Sequence, residues 1–207
     1  MLAIIEYLFL FVNVQFFAAF CYNGPMHRII LITGAPGSGK STVARRLAQH
    51  FPKSLHLQVD HLREMMVNGV ALPGSGWNDE ITQQFQWARA SAIHMAQVYA
   101  HNGVDTVIDD VAVPAAFADH YVGLDAGLDF GLGKSLEVHR VLLLPAVAAL
   151  LRRLRSRGGP YDQVLVDEIP WFYSYLDLMP KDGWQVLDSG DWTVEQTVQA
   201  VLHGIGG

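Results

Sequence analysis

The stretch RIILITGAPGSGKSTVARRL, residues 28–47, decides the fold. It begins with an apolar run at residues 29–32, continues through a glycine-rich loop at 34–39 and ends in a segment of helical spacing at 40–47. This order predicts a strand, a tight loop and a helix. Glycines let the loop backbone turn so that successive N–H groups converge on an anion, and the helix N-terminus offers further unpaired N–H groups. The stretch therefore predicts a loop that binds a polyphosphate.

The side chains of this loop have separate predicted roles. Lys40 is expected to contact the β- and γ-phosphate oxygens, and the hydroxyl of Ser41 is expected to ligate Mg²⁺. The whole segment is expected to contact the nucleotide: Gly34, Ala35, Pro36, Gly37, Ser38, Gly39, Lys40, Ser41 and Thr42. The complete GxxxxGK[ST] pattern between a strand and a helix is a specific signal, and the alternative is a glycine-rich turn with a chance Lys-Ser pair.

The composition favours one globular domain. Of the 207 residues 51% are hydrophobic and only 16% are charged, which argues against disorder over most of the chain. The net charge of −6 argues against a surface built to bind nucleic acid, although a local basic pocket is still allowed. Cys21 is the single cysteine, so the sequence excludes a disulfide framework, a zinc cluster and a thiol nucleophile in the domain, as expected for a reducing cytoplasm.

The first 22 residues differ from the rest because they are almost wholly apolar and rich in phenylalanine. They carry no Lys or Arg ahead of the apolar run, whereas a signal segment usually begins with positive charge. Three interpretations stay open: a start codon assigned too far upstream of Met26, a membrane anchor or signal, and an extra packed helix. We divide the chain into an extension, residues 1–25, and a domain, residues 26–207. We expect a cytoplasmic protein, or a membrane-anchored one if residues 1–22 are retained.

After the loop, apolar runs with strand character alternate with segments of helical periodicity. The predicted strands are residues 29–32, 54–59, 104–108, 136–144 and 184–187. The predicted helices after the loop helix are residues 61–66, 79–101, 114–121, 146–157, 164–178 with an interruption at Pro170, and 193–202. This alternation predicts an α/β domain in which helices cover both faces of a parallel sheet, with the binding site at the carboxyl ends of the strands.

Asp60 ends the second predicted strand, at the edge of the sheet where the phosphate loop lies. A carboxylate there can accept the proton of an acceptor hydroxyl, contact the substrate or hold Mg²⁺, and the alternative is a helix cap. Arg63 follows one helical turn later and is expected to face the same cleft, where it would bind substrate or phosphate. Its alternative is a solvated surface arginine.

Asp109 and Asp110 follow the apolar run 104–108, in the pattern of a Walker B segment. An acid at this place ligates Mg²⁺ directly or through water. Neighbouring residues of a strand point to opposite faces, so both carboxylates are not expected to touch one ion. We assign Asp109 to the metal and Asp110 to the substrate, while the sequence leaves open which of the two acts.

Four arginines lie close together ahead of a Gly-Gly-Pro break: Arg152, Arg153, Arg155 and Arg157. Such a run predicts a lid that brings positive charge to the phosphates and excludes water, with Arg153 binding the nucleotide and Arg157 acting in catalysis. Which arginine acts is open. The alternative is a solvated helix end with a favourable dipole interaction.

The four segments GAPGSGKST, VDHLREMM, VIDDV and RRLRSRGG together resemble the P-loop small-molecule kinases. The resemblance is greatest to the chloramphenicol phosphotransferase-like group, with zeta-toxin-like and gluconate- or shikimate-kinase-like enzymes as relatives, and it covers the chain from about Met26 to the end. It implies a three-layer P-loop NTPase fold of adenylate-kinase type with a five-stranded parallel sheet, helices on both faces and a short arginine-bearing lid. By position, Asp60 resembles the catalytic base of these kinases and Arg157 resembles their lid arginine. The sequence departs from them at Gln58, where relatives often carry a second acid.

The function expected from these features is transfer of the γ-phosphate of ATP, with Mg²⁺, to a hydroxyl of an antibiotic-, sugar- or metabolite-like molecule. A nucleoside, nucleotide or polynucleotide 5′-end kinase is an alternative with the same motifs, which the acidic net charge disfavours for long nucleic acids. An ATP-binding regulatory module or a plain ATPase is an alternative of another class. The sequence contains no guanine-reading NKxD string, which a GTP-dependent switch would require.

Overall fold

The computed structural model describes residues 27–71, 78–111, 121, 136–159, 162–178 and 181–206. Its strands are β1 Arg28–Gly34, β2 Ser54–Gln58, β3 Asp105–Asp110, β4 Glu137–Leu143 and β5 Trp184–Leu187. Its helices are α1 Lys40–Ala48, α2 Val59–Glu64, α3 Asp79–His101, α4 Val147–Arg157, α5 Asp162–Leu178 and α6 Val194–Gly204. The extension 1–25, the predicted short helix 114–121 apart from Tyr121, and residues 72–77 lie outside the part of the chain that is described.

The five strands form one parallel sheet in the order β2-β3-β1-β4-β5. Strand β1 is central, and its side chains are buried on both faces. Ile29 and Leu31 pack in a cluster with α3, whereas Ile30 and Ile32 pack in a cluster with α1 and α6. The predicted α/β fold with helices on both faces of a five-stranded parallel sheet is therefore confirmed.

The sheet places the functional residues because all its strands end at the same edge. Strand β1 leads into the phosphate loop at Gly34, and β3 ends beside it at Asp110. Asp109 and Asp110 pair with Ile32 and Thr33 of β1. This edge of the sheet therefore gathers the loop and both predicted acids.

Two strand ends differ from the prediction. β2 ends at Gln58, and the buried Val59 already begins α2, so Asp60 lies in the first turn of a helix instead of closing the strand. β3 continues through Asp109 and Asp110, although aspartate has low strand propensity, because backbone pairing with β1 extends to both residues.

The predicted interruption at Pro170 is wrong, because α5 runs through this residue without a break. Proline removes one backbone hydrogen bond from a helix. The helix continues because Ile169, Phe172 and Leu176 are buried against the sheet side of the molecule, next to Leu150 of α4. None of the described helices combines the length and the apolar character that crossing a membrane requires.

Candidate active site

The phosphate loop takes the backbone geometry that its glycines were expected to provide. Gly37 and Gly39 have φ angles of 82° and 91°, in the left-handed region that favours glycine. A Cβ at Gly37 would lie 2.8 Å from Cγ of Leu154, so the position is closed to larger residues on steric grounds as well. The loop also closes on itself, since the N–H of Ser38 donates to the carbonyl of Ala35 at 3.0 Å.

The helix that follows the loop presents its N-terminus to the same space. Gly39 is the N-cap of α1, no side chain caps the helix, and its first turn contains no acid. The N–H groups and the positive end of the dipole are thus left to an external anion. Lys40 is the first residue of the helix and is only 8% exposed. Its ammonium group adds positive charge to the space between the loop and the helix N-terminus.

Arg153 connects the phosphate loop to the turn after β5 through hydrogen bonds. Its Nη1 donates to the carbonyl of Ser38 at 3.1 Å, and its Nη2 donates to the carbonyls of Ser189 and Gly190 at 2.6 and 3.1 Å. These three contacts support a role in holding the loop, in addition to the predicted contact of Arg153 with the nucleotide.

A cavity of about 220 Å³ lies between the loop and the end of α4. Its lining includes Lys40, Ser41 and Arg157. The Nε of Arg157 donates to both carboxylate oxygens of Asp162 at 2.9 and 3.1 Å, and Nη2 makes a further short contact with Oδ1. Hydrogen bonding to Arg157 lowers the pKa of Asp162, and the same bond raises the pKa of the guanidinium. Arg157, the predicted lid arginine, therefore lies beside the phosphate loop and is paired with Asp162.

Ser41 and Asp109 meet directly, as the predicted metal site requires. The hydroxyl of Ser41 donates to Oδ1 of Asp109 at 2.8 Å, and Asp109 is 4% exposed. A hydroxyl and a carboxylate are hard oxygen ligands that fit Mg²⁺. No group of three or more His, Cys, Asp or Glu side chains that could hold a metal is found among the described residues.

His56 of β2 is a further partner of this carboxylate that the sequence analysis did not single out. Its Nε2 lies 2.5 Å from Oδ2 of Asp109. The signal available in the sequence was weak: His56 stands between Leu55 and Leu57 in a short strand, where a polar residue points to one face of the sheet.

Asp110 points to the opposite face of the sheet and is held by cationic and neutral donors there. Nε of Arg89 donates to Oδ2 of Asp110 at 2.5 Å, and the hydroxyl of Tyr121 donates to the same oxygen at 3.0 Å. Arg89 is 1% exposed, so this is a fully buried ion pair. Neither Arg89 nor Tyr121 was singled out in the sequence. The pairing agrees with the expectation that the two adjacent carboxylates do not share one ion.

Asp60 is half-buried, and burial raises the pKa of its carboxyl group. Lys40 and Arg63 lower this pKa and the charges of Asp110 and Asp109 raise it, with a net upward shift. The carboxyl group is therefore within electrostatic reach of the loop lysine and of both strand acids. A raised pKa makes a carboxylate a stronger base than a solvated one.

Arg63 is buried beneath the same edge of the sheet instead of being a solvated surface arginine. It is 7% exposed, its Nη1 donates to the carbonyl of Ala71 at 2.5 Å, and its guanidinium carbon lies 4.4 Å from the ring centroid of Phe85. Its Nε is buried without a hydrogen-bond partner among the described residues.

Comparisons with known proteins agree with this geometry. A family model described as an AAA domain, AAA_33, matches residues 29–168. A search of curated proteins by sequence finds no match.

Several solved structures share the fold. A sugar kinase from a Janibacter species is 21% identical with a TM-score of 0.60, covering 86% of this chain and 93% of its own. A shikimate kinase from Bacteroides thetaiotaomicron is 17% identical with a TM-score of 0.57, covering 87% and 99%. The tunicamycin resistance protein of Deinococcus radiodurans is 19% identical with a TM-score of 0.62, covering 87% and 96%. The chain therefore has the fold of these proteins over nearly all of their length.

Proposed function

Since this chain belongs to the AAA domain family AAA_33, we propose that it binds ATP and transfers the γ-phosphate to a hydroxyl group of a small molecule. The observation that carries the proposal is the place of Asp60: it is half-buried in the first turn of α2, directly after β2, where burial raises the pKa of its carboxyl group and the charge of Lys40 acts on it. A plain nucleotide-binding module has no need of a half-buried base beside its phosphates. Within the family we infer a small-molecule acceptor of the kind that the chloramphenicol phosphotransferase-like group uses.

The binding of ATP would use the loop amides, Lys40 and the arginine at the end of α4. Backbone N–H groups of residues 34–42 would surround the β- and γ-phosphates, and Lys40 would neutralise part of their charge. Arg157, in the cavity beside Lys40, would stabilise the charge that develops on the transferred group. Ser41 and Asp109 would hold Mg²⁺, which neutralises charge on the β- and γ-phosphate oxygens when bound.

The chemical step would begin at Asp60. Its carboxylate would accept the proton of the acceptor hydroxyl, and the acceptor oxygen would attack the γ-phosphorus in line with the leaving group. One bond forms between that oxygen and the phosphorus, and the bond from phosphorus to the β–γ bridging oxygen breaks, so ADP leaves. Arg63, held by the carbonyl of Ala71 and lying over the ring of Phe85, would form part of the wall of the acceptor pocket. Asp110, held by Arg89, would support the wall of the same pocket.

The test is phosphoryl transfer from γ-labelled ATP to a panel of hydroxyl compounds that contains sugars, antibiotics, nucleosides, nucleotides and an oligonucleotide with a free 5′ end. Wild type should label a small molecule. Asp60→Asn should still bind ATP, but its transfer rate should fall by about 10²-fold or more, the range of general base catalysis. Asp79→Asn, which changes an exposed acid in the first turn of α3, is the matched control and should transfer normally.

Two results would contradict the proposal. Label on the oligonucleotide or a nucleotide alone would favour the nucleic-acid or nucleotide kinase. Release of inorganic phosphate at the same rate with and without every acceptor would leave a plain ATPase.

A further inference from the structure

The two carboxylates at the end of β3 have partners of different kinds. Asp110 is paired with the guanidinium of Arg89, so a positive charge already neutralises it. Asp109 is hydrogen-bonded by the hydroxyl of Ser41 on one oxygen and by the imidazole of His56 on the other. Neither of these contacts comes from an arginine or a lysine, unlike the contact that holds Asp110. This difference separates two acids that are adjacent in sequence.

The position of His56 follows from the register of the sheet. His56 is opposite Val107 in the β2–β3 pair, and Gln58 is opposite Asp109. Val107 and Asp109 are two residues apart and share a face, so His56 shares it too. Val107 packs in the cluster that contains residues of α1, which is the helix that carries Ser41. His56 therefore reaches Asp109 from the sheet edge, and Ser41 reaches it from the helix.

The donor in the His56 contact is fixed by the chemistry of its partner. An ionised carboxylate is only an acceptor, so Nε2 of His56 must carry the hydrogen. Each oxygen of Asp109 then accepts one hydrogen bond, at 2.8 Å from Ser41 and 2.5 Å from His56. Bonds on both oxygens fix the plane of a carboxylate, which one bond alone leaves free to rotate.

We propose that His56 is a positioning residue for the metal site: it holds the Asp109 carboxylate in the orientation in which Asp109 and Ser41 together receive Mg²⁺ bound to a nucleotide. The proposal rests on the proposed function only through the binding of nucleotide and metal, not through transfer. Outer partners of metal ligands orient those ligands, and their loss commonly lowers metal affinity by about 10–100-fold. His56 is also accessible from solvent, since it borders a groove of about 660 Å³ that Ser41 and Thr42 line as well.

The test measures the dissociation constant of ADP by calorimetry, in excess MgCl₂ and again in EDTA, for the full chain. His56→Leu should bind ADP as wild type does in EDTA but lose roughly 10-fold or more of the affinity gained from Mg²⁺. A side chain that only packs β2 against β3 would change both constants together or neither. Electron paramagnetic resonance of Mn²⁺ with ADP gives a second, direct measure of metal binding by the same variants.

Two conservative variants keep the test sharp if His56→Leu folds poorly. The amide nitrogen of glutamine lies as many bonds from Cα as Nε2 of histidine, so His56→Gln should keep the contact and the Mg²⁺-linked affinity. His56→Asn is one methylene shorter and should lose both. The matched control is His139→Leu, because His139 bonds Glu137 at 3.0 Å on β4 and touches neither Ser41 nor Asp109. It should behave as wild type.

The inference is overturned if the variants lacking the contact keep the full gain from Mg²⁺, if His56→Gln loses it as His56→Asn does, or if wild type gains nothing from Mg²⁺. A protein that gains affinity from Mg²⁺ through His56 yet phosphorylates no acceptor would support this inference and contradict the proposed function. The two outcomes can therefore be told apart.

Discussion

At the scale of the single residue, the chemical role proposed for Asp60 would come with a cost in stability. Burial raises the pKa of its carboxyl group above the ordinary value near 3.8, so ionising Asp60 destabilises the folded protein relative to the unfolded chain. The stability of the ligand-free protein should therefore be lowered most by Asp60 at pH values above the pKa of this group in the folded state. Below 3.8 the group is protonated in both states and the cost is absent.

Asp60→Asn should accordingly raise the melting temperature of the ligand-free protein at neutral pH, although it slows transfer. An amide of the same shape removes the buried negative charge. The gain should shrink as the pH falls through the folded pKa towards 3.8, because wild type then becomes neutral at this position too. Thermal unfolding of both proteins over a pH series measures it.

Asp79→Asn, at an exposed site, should show no such pH-dependent gain. A melting-temperature difference between Asp60→Asn and wild type that stays the same at every pH would mean that the charge of Asp60 is not the cause.

At the scale of the element, the end of α4 and the start of α5 act together. Arg157 is the last residue of α4, and Asp162 is the first residue of α5. The Asp162 side chain is 8% exposed and also accepts a hydrogen bond from the N–H of Gly159 at 2.6 Å, whereas Arg157 is 54% exposed. The buried carboxylate of Asp162, bonded on both oxygens, thus holds the Nε side of the more exposed arginine. The Nη1 end stays available to a phosphate.

Asp162→Asn should therefore slow phosphoryl transfer more than it weakens the binding of ADP. An arginine that is no longer oriented reaches the transferred group less often, and misplacement of this kind costs on the order of 10²-fold in rate. Steady-state kinetics with an identified acceptor, together with the dissociation constants of ADP and of a non-hydrolysable ATP analogue, measure the two effects.

The control for Asp162 is Asp191→Asn. Asp191 lies 3.5 Å from Nη2 of Arg152, an arginine of α4 like Arg157. Both side chains of this pair are exposed, and exposed ion pairs contribute little to stability. It should leave rate and affinity unchanged. Faster transfer by Asp162→Asn would contradict the prediction and show that the acid restrains Arg157 instead of positioning it.

At the scale of the whole molecule, the fold was predictable because its signals are local. The glycines of the loop, the apolar run before it and the alternation of strands with helices each lie within a few residues of one another. Even the separation of Asp109 from Asp110 to opposite faces follows from the two-residue repeat of a strand, and the ladder with β1 confirms it.

The partners of these acids were not predictable from the sequence, for a physical reason. His56 meets Asp109 across 53 positions, and Arg89 meets Asp110 across 21 positions. Such contacts depend on the register of neighbouring strands and on the rotation of α3, which a single sequence does not specify. The roles of the site residues therefore stay predictions that the proposed variants test.

The charges around Asp60 bear on the kind of acceptor. Four charged side chains act on its carboxyl group: the positive Lys40 and Arg63, and the negative Asp109 and Asp110. Arg89 neutralises Asp110, so the remaining cations Lys40 and Arg63 balance Asp109 and an ionised Asp60 before ATP and the metal are counted. Mg²⁺-bound ATP would then add negative charge to this balanced set.

We therefore expect acceptors without a carboxylate or phosphate group to be favoured. Arg89, the other buried cation of this side, is already paired with Asp110, and Lys134 is the only Lys or Arg in the part of the sequence that the structure does not describe. A second anion would find no unpaired cation among these side chains and would meet repulsion from ATP, and like-charge juxtaposition is an effective means of rejecting a ligand. The measurement is kcat/KM for matched pairs, such as a sugar and its acid, or a nucleoside and its 5′-monophosphate. The uncharged member should be favoured by roughly 10-fold or more, a difference of about 1.4 kcal/mol in transition-state binding.

Added salt should reduce this difference in kcat/KM, because it screens charges that water reaches. Preference for the anionic member at every ionic strength would contradict this assignment of charge and favour a nucleotide kinase.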